Sequence, residues 1–479
     1  MKIKVSSKYR SWALFLVIFI SSIVYAGLVN IRDYPHDAGY YWTTADPVFE
    51  NGFDIRAFPR TFRGYLFPVL VGALKQFLPG CWGWRLLAAV LVSVCFAFSL
   101  PFVLKGRRLD SFAETARMFL AYLMMMCIWR DLLQYPLSDF PAVFFLISDA
   151  ALIRWMVGKK LSGRLLLTAL VSGILLYAAY NTRIAYLFGG LVLTAVYVIM
   201  DHSSLKKILP VLLAMLAGAA AAALPQSMIN KQYAGDLLPV VHTEFHRSTG
   251  NLQTSQVFNG LNYSKYETYA GEDAEYYPKA KVYFEDPVGK EILRRRNLSA
   301  DRFSITTVLK LFWEYPLDMA GIYVRHLIML MTPVYQWIYI SDLYTDKSLL
   351  LICSILIWIL AFLGLLDARD NHGFSKNALW SLAVCIPAFL QTAGMPETRF
   401  FLAVHVLCYG WIFVGIDFAS LWKRVRKQWL QVLVSTLLIM MLWITVYGNV
   451  LSNNQARAMV IRDDPQAYGL SSGDPSAEP

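Results

Sequence analysis

Charged residues are scarce in this sequence. Asp, Glu, Lys and Arg make up 16% of its 479 residues, whereas an ordinary soluble domain contains about 25%. A chain of this length with so little charge cannot cover the water-facing surface that a soluble protein needs. The composition therefore excludes an ordinary soluble globular protein, and it also excludes a disordered chain, which would be poor in apolar residues.

Motifs of nucleotide-binding and metal-dependent enzymes are also missing. The patterns GxGxxG, GxxxxGK[S/T] and HExxH do not occur. The six cysteines form no CxxC pair, and all except Cys81 fall inside apolar runs. They are typical of small core residues rather than of zinc ligands or a disulfide framework.

Apolar residues, in contrast, are abundant and concentrated in runs. They make up 57% of the chain, and a helix needs about 20 of them to cross a bilayer. Eleven runs approach that length, near 11–30, 82–104, 117–134, 140–157, 165–180, 184–200, 207–224, 348–366, 377–394, 400–420 and 428–449. One run would fit a buried core helix, but eleven predict an all-α polytopic membrane protein. We interpret the first run as a retained helix, because it is too long for a signal peptide.

The basic residues predict how the helices are oriented. Lys and Arg exceed Asp and Glu by 11, and they cluster before the first run, at 105–117, 159–164 and 206–207, and at 423–427. Basic residues are enriched in cytoplasmic loops, so we expect a cytoplasmic N-terminus. The predicted outside connections are 31–81, 131–139, 181–183 and 225–347. On this topology the positive charge orients the protein, and nucleic acid is not a predicted partner.

The first outside connection places polar chemistry beside the membrane. Asp33, His36 and Asp37 bring two carboxylates and an imidazole together within one short stretch. The aromatic and basic residues that follow are Tyr40, Tyr41, Trp42, Arg60 and Arg63. Anchoring at the membrane interface is an alternative explanation for those residues. It does not explain the carboxylates, which can take a proton from a hydroxyl group or hold a divalent cation.

Short outside turns add one acid and two arginines. Asp139 stands at the start of a helix, where N-capping is the alternative explanation. Arg183 ends the turn Asn181-Thr-Arg183, and Arg399 lies in the turn Met395-Pro-Glu397-Thr-Arg399. The planar guanidinium suits phosphate, although a single interfacial arginine also anchors a helix. Together, these residues predict a site for a lipid phosphate whose head group reacts.

These outer motifs resemble those of GT-C glycosyltransferases, the family of integral-membrane enzymes that includes protein O-mannosyltransferases, lipid A aminoarabinose transferases and bacterial cell-envelope transferases. The similar segments are Pro35-His-Asp37-Ala-Gly-Tyr40, Arg60-Thr-Phe-Arg-Gly64-Tyr65, Ser138-Asp139-Phe-Pro141, Glu314-Tyr-Pro316 with Arg325, and Arg399-Phe-Phe. Many family members have two adjacent acids in the first loop, where this chain has His36-Asp37-Ala38. The resemblance therefore leaves metal dependence open.

The resemblance implies a GT-C-like fold with about 11–13 transmembrane helices and a large extracytoplasmic loop after helix 7. Residues 1–224 would form the seven-helix module, with the catalytic outer loop at 31–81. Residues 225–347 would form the large loop. The tyrosines of its part 225–305, Tyr266 among them, suit a cap over the acceptor. Residues 348–450 would be the C-terminal helices, and 451–479 a polar, disordered tail. On the topology that the basic residues predict, the runs 64–78 and 318–337 lie on the outer surface or re-enter the membrane.

The resemblance also implies the chemistry. The enzyme would move a sugar from a polyprenyl-phosphate donor to a cell-envelope glycan, lipid or protein, with inversion, on the outer face of the plasma membrane. Asp37 would be the general base, while Asp33 and Asp139 would position the substrates. The implied substrate-binding residues are His36, Tyr40, Arg60, Arg63, Arg183 and Arg399, the last two neutralising the departing phosphate. The cofactor stays open between none and a divalent cation, Mg²⁺ or Mn²⁺, on Asp37 and Asp139.

Two other functions fit the same features. A transporter or flippase of lipid-linked glycans would carry ionisable residues deep within its helices, whereas this chain keeps most of its charge at the helix ends. An O-antigen-type polymerase would also use arginines on the outer face, but it would not require an acid beside the first helix.

Overall fold

The fold is described from a computed structural model. It describes residues 7–29, 31, 34–78, 80–201, 204–245, 252–269, 281–300, 303–333, 339–340, 348–372 and 376–452. Asp33 and the C-terminal tail from residue 453 onward lie outside the described residues, so the roles predicted for them stay predictions.

The described part of the chain up to residue 233 is almost entirely helical. Its helices are α1 Ser7–Leu28, α2 His36–Thr43, α3 Asp46–Glu50, α4 Leu66–Phe77, α5 Trp82–Val94, α6 Leu100–Lys105, α7 Phe112–Trp129, α8 Asp139–Met156, α9 Gly163–Thr182, α10 Tyr186–Met200 and α11 Leu205–Tyr233. A π-helical turn at Cys95–Ser99 joins α5 to α6, so the two form one continuous helix.

The described residues after 233 add nine helices and three short strands. The helices are α12 Leu252–Asn262, α13 Pro287–Arg295, α14 Ile305–Glu314, α15 Pro316–Met331, α16 Ser348–His372, α17 Lys376–Gln391, α18 Leu402–Gly410, α19 Phe418–Lys427 and α20 Trp429–Ser452. The strands β1 Tyr263–Tyr269, β2 Lys281–Glu285 and β3 Tyr339–Ile340 form one sheet in the order β2-β1-β3. β1 pairs with β2 in the antiparallel sense and with β3 in the parallel sense.

Eight helical segments among the described residues are long and apolar enough to cross a membrane. They are Tyr9–Leu28, Trp82–Lys105, Phe112–Leu133, Gly163–Thr182, Leu205–Tyr233, Ser348–Leu366, Thr398–Gly415 and Trp429–Leu451. Three further predicted runs coincide with α8, α10 and α17. α8 carries three charged residues, while α10 and α17 are shorter. The prediction of an all-α, multi-pass chain is confirmed, whereas the count of 11–13 and the GT-C fold stay predictions.

The two ends of the helical bundle carry separate charged groups. At one end, Glu114 at the start of α7 accepts hydrogen bonds from Lys105 and Arg107, and Arg154 near the end of α8 donates to the carbonyl oxygen of Val103. α7 has 18 residues and, at about 1.5 Å per residue, carries the chain about 27 Å to the opposite end. The connections α7–α8, α9–α10 and α17–α18 meet there.

Candidate active site

Local backbone structure places five of the predicted site residues at helix ends. Asp37 lies in the first turn of α2, which begins directly after Pro35, and His36 has a positive φ of 50°. Asp139 begins α8, Arg183 follows the last residue of α9, and Arg399 lies in a 3₁₀ turn before α18. Each side chain therefore stands at a helix terminus, at one end of the bundle.

Arg399 lies at the centre of a network of carboxylates. Its Nη2 donates to Asp37 Oδ2 at 2.8 Å, and its Nη1 donates to Asp139 Oδ2 at 3.4 Å. Its Nε lies 2.8 Å from Glu397 Oε2, an ion pair whose N–H direction falls outside hydrogen-bonding geometry. One guanidinium thus faces three carboxylates from three different segments of the chain.

Two more arginines balance these carboxylates. Arg63 Nη2 donates to Asp37 Oδ1 at 2.7 Å, and Arg183 Nη1 donates to Asp139 Oδ1. Arg183 Nη2 also donates to Gln391 Oε1 at 2.8 Å, which ties the α9–α10 turn to the end of α17. Three arginines and three carboxylates therefore form one continuous ion-paired network with no formal net charge.

The network is open on one side and buried on the other. The Asp139 and Glu397 side chains are each 2% exposed, and the Arg399 side chain is 7% exposed. The Asp37 side chain is 34% exposed, and that of Arg63 beside it is 21% exposed. A ligand that approaches from outside would therefore meet Asp37 and Arg63 first.

Aromatic rings surround the arginines. The Arg63 guanidinium carbon lies 4.6 Å from the ring centroid of Tyr41 and 5.0 Å from that of Tyr40. The Arg183 guanidinium lies over Phe400 at 4.6 Å. Rings in this position add cation–π attraction and restrict where the guanidinium groups can move.

The three-stranded sheet contacts the network through the hydroxyl groups of two tyrosines. The Tyr266 hydroxyl of β1 donates to Glu397 Oε2 at 2.5 Å. The Tyr339 hydroxyl of β3 accepts a hydrogen bond from Ala38 N, in the first turn of α2, at 3.1 Å. Since β1 and β3 are paired, one sheet contacts both the Asp37 side and the Glu397 side of the site.

Burial and charge shift several pKa values in this region. Burial raises the pKa of Glu397 above its usual 4.5, and Arg399 only partly opposes this effect. Burial and the neighbouring Glu397 hold the pKa of Tyr266 well above 10. Burial acts to lower the pKa of Arg63, but Asp37 and the nearby tyrosines raise it above the usual range of an arginine. Arg63 is therefore charged at every relevant pH.

Some predicted residues lie beside the network rather than in it. The Arg60 guanidinium lies 4.2 Å from the Phe245 ring centroid. The His36 ring faces Tyr339 at 5.5 Å, and the Tyr40 hydroxyl hydrogen-bonds with Thr61. The structure thus brings together Asp37, Asp139, Arg63, Arg183 and Arg399; their catalytic and binding roles stay predictions.

Three members of the site, Glu397, Tyr339 and Gln391, were not predicted from the sequence. Glu397 was visible as an acid two residues before Arg399 in the same turn, and this spacing was the available signal. Tyr339 and Gln391 carried no local signal, because only the fold brings them to Ala38 and Arg183.

The carboxylates that were predicted as cation ligands are paired with arginines in this arrangement. Within the described ranges, no three or more His, Cys, Asp or Glu side chains are grouped as metal ligands. Asp37 and Asp139 both face Arg399, so a cation between them would meet a guanidinium group. The cation on Asp37 and Asp139 stays a prediction, and no step proposed for this site passes through one.

Three comparisons with known proteins complete the description of the site. No protein-family model, curated protein or solved structure matches this chain. The function is therefore argued from the arginine–carboxylate network and from its place at one end of an apolar helical bundle.

Proposed function

We propose that this protein is a glycosyltransferase that moves a sugar from a polyprenyl-phosphate donor to a cell-envelope acceptor. One observation carries the proposal: five residues selected for phosphate and proton chemistry meet in one network, although they come from four separate connections. A network of arginines at the end of membrane-spanning helices stands where the phosphate of a membrane-embedded lipid would be.

The chemistry follows from the residue types. The acceptor hydroxyl oxygen attacks the anomeric carbon while its proton passes to Asp37. The bond from that carbon to the phosphate oxygen breaks, and its electron pair leaves with the polyprenyl phosphate, which gains one negative charge. Arginines fixed in advance by ion pairs stabilise that charge without having to reorganise, which contributes several kcal/mol in comparable sites.

One buried acid favours the transporter as a second candidate. Asp149 of α8 is fully buried and accepts a hydrogen bond from Ser172 of α9. It stands ten residues after Asp139, about 15 Å further along the helix, and such intramembrane acids commonly serve transport. The ion-paired network at the bundle end outweighs this single residue, because it contains more charged groups and is partly open to solvent.

The decisive experiment compares a deletion strain with complemented strains. Envelope glycans and polyprenyl-phosphate lipids would be measured by mass spectrometry after complementation with the wild type, Asp37→Asn, or Arg294→Gln, an exposed arginine outside the site. We expect the deletion and Asp37→Asn strains to lack one sugar and to accumulate the sugar-loaded donor. Arg294→Gln should behave as the wild type.

Other results would contradict the proposal in distinct ways. Unchanged glycans with an altered pool of flipped lipid would support the transporter. Shortened polymers without loss of a single sugar would support the polymerase. Normal transfer by Asp37→Asn would show that Asp37 is not the base.

A further inference from the structure

The two carboxylates that face Arg399 most directly are held very differently. Asp139 is almost fully buried and contacts Arg183, which is itself fixed by Gln391 and by the Phe400 ring. Asp37 is 34% exposed and bridges Arg63 and Arg399 with its two oxygens. Of these two carboxylates, Asp37 is the one that can move away from its arginines into solvent, because it is already partly exposed.

The Asp37 carboxylate has the shape of the expected ligand. It offers two oxygens, one to the Nη2 atom of Arg63 at 2.7 Å and one to the Nη2 atom of Arg399 at 2.8 Å. The two non-bridging oxygens of a phosphodiester present the same kind of paired acceptors to two guanidinium groups. The side chain therefore occupies the position that a phosphate would take.

We propose that the donor phosphate binds between Arg63 and Arg399 by displacing Asp37, which competes with it for these two arginines. This inference rests on the proposed function, and it assigns the phosphate subsite to Arg63 and Arg399 rather than to Arg183 and Arg399. Arg183 holds Asp139 in place instead. Phosphate binding is then also the event that frees Asp37.

The displacement orders the reaction. While both oxygens of Asp37 accept hydrogen bonds from arginines, they are poorly placed to accept a proton. After the phosphodiester has taken their place, Asp37 can take the acceptor proton as the bond between the anomeric carbon and the phosphate oxygen breaks. The leaving phosphate keeps the electron pair and stays between Arg63 and Arg399. The donor therefore binds before the acceptor can react.

Displacement of Asp37 predicts that removing its charge increases the affinity of the protein for a phosphodiester. The purified full-length protein in detergent would be titrated with methyl decyl phosphate, a singly charged phosphodiester, by calorimetry. Asp37→Asn should bind it about tenfold more tightly than the wild type, which corresponds to about 1.4 kcal/mol, because the competing anion is gone. Asp37→Glu, which keeps the charge, should not bind more tightly. Glu50→Gln, an exposed acid in the same loop, should match the wild type.

The outcomes separate this inference from the proposed function. If the wild type binds the probe and Asp37→Asn binds equally or more weakly, the displacement is wrong and the proposed function stands. If neither the wild type nor Asp37→Asn binds the probe, both the displacement and the proposed function are wrong. If Asp37→Asn does not fold, carbodiimide labelling of the wild type replaces it: bound probe should increase labelling of Asp37, and unchanged labelling would overturn the displacement.

Discussion

At the level of single residues, Arg399 is the side chain on which the site depends. It contacts Asp37, Asp139 and Glu397, and it is buried with two of them. Each of the two buried carboxylates carries a large desolvation cost. Arg399 offsets part of it, together with Arg183 beside Asp139 and the Tyr266 hydroxyl beside Glu397. Removing Arg399 would take one cation away from both buried carboxylates.

Arg399→Met should therefore destabilise the folded protein strongly. Breaking a buried ion pair by removing one partner costs about 3–5 kcal/mol, and we expect a clearly lower melting temperature for the purified protein. Arg294→Met is the matched control, because the Arg294 side chain is 74% exposed. Equal melting temperatures for the two variants would contradict the central role of Arg399.

A glycine fixes how the segment before α4 meets α9. A Cβ atom on Gly64 would stand 1.9 Å from the backbone oxygen of Asn181, and the Asn181 side chain accepts a hydrogen bond from Leu66 N at 2.8 Å. The close approach holds the start of α4 against the end of α9, where Arg183 follows.

Gly64→Ala should cost about 1–3 kcal/mol, as overpacking against a fixed neighbour does. The control is Gly448→Ala within α20, where nothing lies within 4 Å of the added Cβ and where Ala favours the helix by about 0.5–1 kcal/mol. Thermal unfolding should move in opposite directions for the two variants, and a shared direction would refute the steric argument.

At the level of elements, an aspartate joins α13 to α15. Asp286 caps α13 through the backbone nitrogens of Val288 and Gly289, and it accepts two hydrogen bonds from Arg325 of α15, at 2.7 and 2.8 Å. Asp286 is fully buried. α13 is therefore tied to α15, whose last turn reaches the core of the bundle.

Asp286→Asn should lower stability by about 2 kcal/mol, because a hydrogen bond to a charged partner contributes about 1.5–3 kcal/mol. Burial acts to raise the pKa of Asp286, but Arg325 and the capped nitrogens lower it below 3.8. The unfolded chain therefore binds the proton first as the pH falls, and the contribution of Asp286 is lost below about pH 4.

Melting temperatures between about pH 6 and pH 3 would test this pH dependence. The difference between the wild type and Asp286→Asn should be constant near pH 6 and should shrink in acid. A difference that persisted unchanged at the lowest pH would show that Asp286 acts only through packing.

At the level of the whole molecule, the bundle has one end with the arginine–carboxylate network and one with the Glu114 ion pairs. The basic loops predict that the network end faces outward. Leu238 and Leu161 are both exposed. Leu238 lies at the network end, beside the ends of α9 and α11, and its carbonyl oxygen accepts a hydrogen bond from Asn230. Leu161 lies between α8 and α9, at the opposite end.

Single cysteines at these two positions would test the orientation in intact cells. In a background with the six native cysteines replaced, Leu238→Cys should react with a membrane-impermeant maleimide, and Leu161→Cys should react only after lysis. The reverse labelling pattern would place the network on the inner face and would contradict the predicted topology.

The sequence by itself determined the membrane-protein class and the positions of the long apolar helices. Long apolar runs leave few alternatives, because a backbone in lipid must satisfy its own hydrogen bonds. Local chemistry also identified Asp37, Asp139, Arg63, Arg183 and Arg399, since charges at helix ends beside a membrane are conspicuous in any sequence.

Only the tertiary structure decided which of these residues meet. Arg399 and Asp37 are 362 positions apart, and no local pattern links them. The same packing brought in Glu397 through Tyr266 and placed Arg60 on Phe245 instead of in the network. The physical reason is that charge pairing across a bundle depends on how the helices pack together, whereas helix formation depends on residues that are neighbours in sequence.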